Sequence, residues 1–132
     1  MTWAPDGALL ASGSSDKTIK LWAASTGACT ATLRGHTSSV KSVAWSPYGA
    51  LLASGSEDET IKLWAVSTGA CTATLSGHTN YVMSVAWSPD GALLASGSAD
   101  NTIKLWIVSA GACTATLNGH MGNVYSVTWA PA

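Results

Sequence analysis

Charge is scarce in this sequence: Asp, Glu, Lys and Arg make up 10% of the 132 residues and leave a net charge of −1. A near-neutral chain without a basic stripe has little to hold a phosphate backbone, so nucleic acid is not an expected partner. No apolar run approaches the roughly 20 residues of a membrane-spanning helix, and no membrane is expected either. The opening residues MTWAPD show neither the basic start nor the apolar stretch of a secretory leader; the expectation is a soluble, cytoplasmic chain. There are three cysteines, Cys29, Cys71 and Cys113, with no CxxC spacing. That odd number argues against a disulfide framework, and small buried thiols are expected instead. No cofactor is expected.

What the chain does have is repetition. Gly-His stands at Gly35-His36, Gly77-His78 and Gly119-His120, and IKLW ends at Trp22, Trp64 and Trp106. A second tryptophan series falls at Trp3, Trp45, Trp87 and Trp129. Every spacing is 42 residues, which divides the chain into units 7–48, 49–90 and 91–132 with 1–6 as a surplus. The first two units differ at only eight positions. A period of this length indicates a stacked or toroidal repeat architecture.

Within one unit the local pattern is that of short antiparallel strands. Val82–Trp87 alternates and is closed by Ser88-Pro89-Asp90-Gly91, where proline and glycine suit a tight turn. Leu93–Ser98, Thr102–Trp106 and Cys113–Leu117 read as three further strands, with turns at Ala99-Asp100-Asn101 and Ser109-Ala110-Gly111. Four short strands without a helix cannot bury both faces alone, so each unit must stack on its neighbours.

The stretch GHTNYVMSVAWSPDGALLASGSADNTIKLW, Gly77–Trp106, resembles a repeat of the Trp-Asp (WD) β-propeller family, and the resemblance extends over essentially the whole chain. It implies an all-β fold: a β-propeller of four-stranded antiparallel blades, three blades in this chain, with the ring closed only by oligomerisation. One departure is plain. The Asp expected after the closing Trp is replaced by Ala23, Ala65 and Ile107. Near-identity of the units fits recent amplification and deliberate design equally.

The resemblance further implies a buried hydrogen-bonded network of His36, Ser54, Asp58 and Trp64 in one blade, and of His78, Ser96, Asp100 and Trp106 in the next. Ser, His and Asp together suggest a hydrolase, but the serine lacks a GxSxG elbow and the set recurs in every blade. A structural role is therefore expected, with no catalytic residue. Three histidines at one period could also meet a metal on an axis; without a second ligand close by in sequence, no metal is expected.

Propellers close with roughly four to eight blades, occasionally more, so three alone would form an open arc. The final strand, Val124–Trp129, can enter the first blade of another copy, which would bring His120 to Ser12, Asp16 and Trp22. Val124, Val127 and Trp129 would then close the oligomer in competition with Trp3. Three copies, giving nine blades, are favoured over two copies, giving six. Sequence variation among the units clusters at Ser39, Lys41, Tyr81, Met83, Asn123 and Tyr125, which the resemblance places on the top face. The expected function is a non-catalytic module that self-assembles head to tail; the alternative is a scaffold binding a protein or peptide at that face.

Overall fold

The computed structural model describes residues 1–131, and Ala132, which ends the third unit, lies outside the described residues. The strands are β1 (Thr2–Trp3), β2 (Leu9–Gly13), β3 (Ile19–Ala23), β4 (Cys29–Leu33), β5 (Val40–Trp45) and β6 (Leu51–Ser56). They continue as β7 (Thr60–Ala65), β8 (Ala70–Ser76), β9 (Val82–Trp87), β10 (Leu93–Ser98), β11 (Thr102–Ile107) and β12 (Ala112–Asn118). Among the described residues there is no helix.

Three four-stranded antiparallel sheets result, β1 to β4, β5 to β8 and β9 to β12, each in sequence order. The turns that make this meander possible are local. Between β9 and β10, Gly91 takes φ 75°, a region open to glycine at no steric cost. Its N–H donates to Ser88 O at 2.9 Å, and Asp90 Oδ1 accepts from Ser88 Oγ and Ala92 N.

The second and third sheets combine the last strand of one sequence unit with three strands of the next, and the first takes β1 from the surplus residues 1–6. Trp45 pairs with Leu52 across the boundary between the first two units, as Trp87 pairs with Leu94 across the following one. Neighbouring sheets meet through their first and second strands. The tryptophans of the first strands tie this inner side together: Trp45 Nε1 donates to Thr2 O at 3.1 Å and Trp87 Nε1 to Ala44 O at 2.9 Å.

Two apolar clusters fill the spaces between sheets. The first joins Ala11, Ile19, Leu21 and Leu33 to Val40, Val43, Trp45, Leu52 and Trp64. The second repeats it one sheet on, with Ala53, Ile61, Leu63 and Leu75 against Val82, Val85, Trp87, Leu94 and Trp106. Glycine near the end of each second strand, at Gly13, Gly55 and Gly97, permits this approach. A methyl group on Gly55 would lie 2.7 Å from Val82 Cγ1.

Two expectations are corrected. Cys29, Cys71 and Cys113 are exposed, not buried. They lie on the fourth, outermost strand of each sheet, where pairing is lost on one side and the register shifts opposite Trp22, Trp64 and Trp106. Each thiol donates only weakly, to the backbone carbonyl two residues on, at 3.4 Å. The second correction concerns Val124–Trp129, which forms no strand. The segment takes an inner-strand position all the same: Val124 N donates to Ser98 O, Val127 N to Ser84 Oγ and Trp129 Nε1 to Ala86 O. Val85 N to Ser42 Oγ and Trp87 Nε1 to Ala44 O are the same bonds one unit earlier. Among the described residues no second strand pairs with it, and it forms no ladder.

Candidate functional site

His36, Ser54, Asp58 and Trp64 meet at the side of the second sheet that faces the first. Ser54 sits on β6 and Trp64 on β7, paired strands that set both side chains on one face. Asp58 occupies the turn between them, and His36 reaches over from the loop before β5. Nδ1 of His36 lies 2.8 Å from Asp58 Oδ2 and Nε2 lies 2.6 Å from Ser54 Oγ, while Trp64 Nε1 donates to the same Oγ at 2.9 Å. With the imidazole neutral, Nδ1–H donates to the carboxylate, Ser54 O–H donates to Nε2 and the indole donates to the serine oxygen. The set repeats at His78, Ser96, Asp100 and Trp106, with distances of 2.8, 2.7 and 2.9 Å. Ser54 and Ser96 are fully buried, and among the described residues no buried side-chain nitrogen or oxygen lacks a partner. A buried hydroxyl held between an indole and an imidazole offers no approach to a substrate carbonyl.

Some members are not apparent from the histidine spacing. Thr60 Oγ1 and Thr102 Oγ1 donate to Asp58 Oδ1 and Asp100 Oδ1, at 2.7 and 2.6 Å. The signal is a threonine two residues after each aspartate, a spacing at which a side chain closes a local turn. Thr37 N and Thr79 N donate to the other carboxylate oxygen. Among the described residues no three of His, Cys, Asp and Glu gather closely enough to hold a metal ion.

The first sheet holds only part of this arrangement. Trp22 Nε1 donates to Ser12 Oγ at 2.9 Å and Thr18 Oγ1 to Asp16 Oδ1 at 2.6 Å. No histidine approaches them, and His120, at the far end of the chain, is exposed. Trp22 is half-buried, whereas Trp64 is 1% exposed.

The two ends of the stack are uncovered in complementary ways. On the third sheet, Leu117 is 47% exposed while its equivalents Leu33 and Leu75 are each 2% exposed. A cleft of 310 Å³ opens there among Ala95, Ile103, Leu105, Leu117, Val127 and Trp129. On the first sheet β1 pairs only Thr2 with Ala11 and Trp3 with Leu10, so Ser12 and Gly13 have no inner-strand partner. In the second sheet the equivalents Ser54 and Gly55 pair with Val43 and Ser42. Trp3 is 59% exposed.

The variable positions lie near the turns that carry the aspartates. Ser39 O accepts from Ser56 Oγ and Glu57 N, and Lys41 forms a 2.8 Å ion pair with Glu57. Tyr81 O makes the same contacts with Ser98 and Ala99. Tyr81 and Tyr125 are exposed, Met83 is half-buried, and Asn123 Nδ2 donates to Tyr125 Oη at 3.4 Å.

Burial lowers the affinity of His36 for a proton, against the opposing pull of Asp58, and His78 behaves likewise beside Asp100. For Asp58, burial disfavours ionisation, but the hydrogen bonds from Thr60, His36 and Thr37 outweigh it and hold the carboxyl at about 2. Asp100 is lowered by the equivalent bonds. The histidine contribution to stability is complete above the unfolded value of about 6.5 and is lost as pH falls below it, because the unfolded chain takes up the proton first. The carboxylate contribution is complete above about 3.9 and is lost as pH falls through the folded value. Melting followed by circular dichroism should therefore give a temperature that is steady above neutrality, declines below about pH 6.5 and falls further below about pH 4. A melting temperature constant down to pH 4 would contradict a neutral, buried histidine.

The family model described as WD domain, G-beta repeat matches the chain four times, at residues 1–23, 27–65, 69–106 and 111–132. Nuclear distribution protein PAC1 of Arthroderma benhamiae is 57% identical over 37 residues, which are 28% of this chain and 8% of that protein. The same protein of Trichophyton verrucosum matches with the same identity and coverage. The chain thus aligns with under a tenth of the length of these curated relatives.

Proposed function

Because the chain belongs to the WD-repeat family, whose members are generally non-enzymatic scaffolds for protein–protein interaction, we propose that it is a structural module that joins head to tail with copies of itself into a closed ring. The observation that carries this reading is the fit between its two open ends. The third sheet presents Ala95, Ile103, Leu105 and Leu117 together with Val127 and Trp129. In the second interior cluster the corresponding set is Ala53, Ile61, Leu63 and Leu75 with Val85 and Trp87, completed by Leu94 and Trp106. The equivalents of that completing pair at the other end of this chain are Leu10 and Trp22, neither of which belongs to a buried cluster.

Backbone pairing favours the same joint. Carried over one period, the register of β9 on β10 would set Val127 opposite Ser12 and Trp129 opposite Leu10 of a second copy. That ladder extends beyond the two pairs made by β1, so the carboxy-terminal segment wins the slot that Thr2 and Trp3 occupy. Contacts of this heterologous kind close into a ring when the rotation per copy divides a full turn. Three copies close nine blades and two close six. The bulk of the tryptophan that each inner strand sets beside its neighbour favours the larger ring. Absolute mass from light scattering tests the reading: a multiple of 13.4 kDa is expected, three-fold for nine blades and two-fold for six, whereas a folded particle at 13.4 kDa would refute it.

A second reading rests on exposure at one rim. Tyr81 and Tyr125 are 44% and 68% exposed and share the variable positions of the repeats with Lys41 and Met83, a composition suited to capturing a protein or peptide. Replacing both tyrosines by serine would abolish such capture and leave the mass unchanged.

A further inference from the structure

The glycines of the Gly-His loops differ in their surroundings. A methyl group on Gly35 would lie 3.2 Å from Cη2 of Trp64, with the Lys62 stem at 3.7 Å; on Gly77 it would meet Trp106 and Lys104 at 3.2 and 3.7 Å. On Gly119 it would meet nothing within 4 Å. A cleft of 300 Å³, lined by Ile103, Leu117, Asn118, Gly119 and His120, stands where the next indole and lysine stem would lie. At the opposite end of the chain Trp22 is half-buried, with no Gly-His loop over its edge.

Resting on the head-to-tail reading above, we infer that the cleft beneath Gly119 is a binding site for Trp22 of a second copy, and that this anchor gives the joint its direction. Lys20 accompanies the indole. In the two interior joints the equivalent lysines are fixed by donation to Thr74 and Thr116, and Lys20 already donates to Thr32 at 2.9 Å. The tryptophan side is therefore preformed, and docking asks little reordering of it. The same approach sets His120 over Ser12 and Asp16, which lack a histidine partner in the free chain. Glycine suits the contact, because at Gly35 and Gly77 even a β-carbon would crowd the indole edge at 3.2 Å and a branched side chain would crowd it further.

A second contact points the same way. Gly49 lies against Pro5 and Gly91 against Pro47, at 3.6 and 3.4 Å from a built methyl, while Gly7 has nothing within 4 Å. Continuing the series by one period sets Gly7 of the docked copy against Pro89, which lines an open cleft with Leu93, Trp129 and Ala130. Two separate series of interior contacts thus leave their unmatched members at opposite ends of one chain, in the same order.

Because the anchor has two unlike halves, they can be disabled one at a time. Gly119→Val blocks the cleft and leaves Trp22 intact; Trp22→Ala removes the indole and leaves the cleft intact. Each variant alone should be found at 13.4 kDa under conditions in which the unaltered chain assembles. Mixed in equal amounts, they should combine into a particle of two chains, since one good head and one good tail remain, and should grow no further. Trp22→Leu replaces Trp22→Ala if the latter loses its strand circular dichroism. If either variant alone reaches the mass of the unaltered chain, or the mixture of two folded variants stays at 13.4 kDa, the anchor is wrong although assembly stands. An unaltered chain that remains a monomer overturns the reading on which the anchor rests.

Discussion

Replacing Trp64 with alanine is expected to destabilise the fold by about 3–5 kcal/mol, the range for deleting a large aromatic from a packed core. The side chain is 1% exposed, belongs to the first buried cluster, packs its edge under the loop at Gly35 and donates to Ser54. Removing it leaves a cavity between two sheets and withdraws one partner from a buried hydroxyl. Trp106→Ala should cost the same, since it occupies the equivalent place in the second cluster. Trp22→Ala, measured in the dilute single chain, should cost clearly less because that side chain is only half-buried. Thermal melts of the three variants make the comparison within one molecule. Equal losses would mean that burial between sheets does not set the contribution of these tryptophans.

Deleting residues 122–132 should abolish assembly completely. The segment contains Val124, which is buried, together with Val127 and Trp129. Its loss uncovers Gly97, against which Val124 and Val127 pack, and removes the inner strand proposed for the neighbouring copy. Obligate interfaces commonly bury over roughly 2,000 Å², and a joint deprived of its inner strand and three large apolar side chains falls short of a stable contact. Deleting Met1–Pro5 should act in the opposite sense, because the short strand β1 holds the same slot through only two residue pairs. Light scattering of both truncations decides the matter. Retained assembly after the first deletion, or its loss after the second, would assign the slot to the amino-terminal strand.

The sheets were legible in the sequence because alternation, turn residues and a fixed 42-residue return all indicated the same strands. The residues that meet around Ser54 and Ser96 are those the family resemblance implies; the 42-residue return repeats them, and buried polar groups need one another. Cysteine burial was not legible, since period alone does not tell an inner strand from an outer one. Cys29, Cys71 and Cys113 share a position, and that position faces solvent. Nor could the pattern of Val124–Trp129 reveal its lack of a ladder, because alternation describes a strand's preference and pairing needs a neighbour. Nor does the sequence set Gly119 apart from the other two glycines of these loops, for a related reason. In the sequence it matches Gly35 and Gly77; in space only those two have an indole beneath them.

The line of side chains from Trp64 through Ser54 and His36 to Asp58 also has a direction. Each member donates a hydrogen bond to the next, and the terminal carboxylate only accepts. Moving the imidazole proton from Nδ1 to Nε2 would set N–H against the serine O–H, leaving the serine to turn toward Lys62 O at 3.4 Å, and would face the Nδ1 lone pair against Asp58 Oδ2, which would keep only its bond from Thr37 N. With the imidazole neutral, only one proton arrangement satisfies all four groups. Each complete blade thus fixes a single tautomer and a single hydroxyl rotamer, and is ordered in its hydrogens as well as in its heavy atoms.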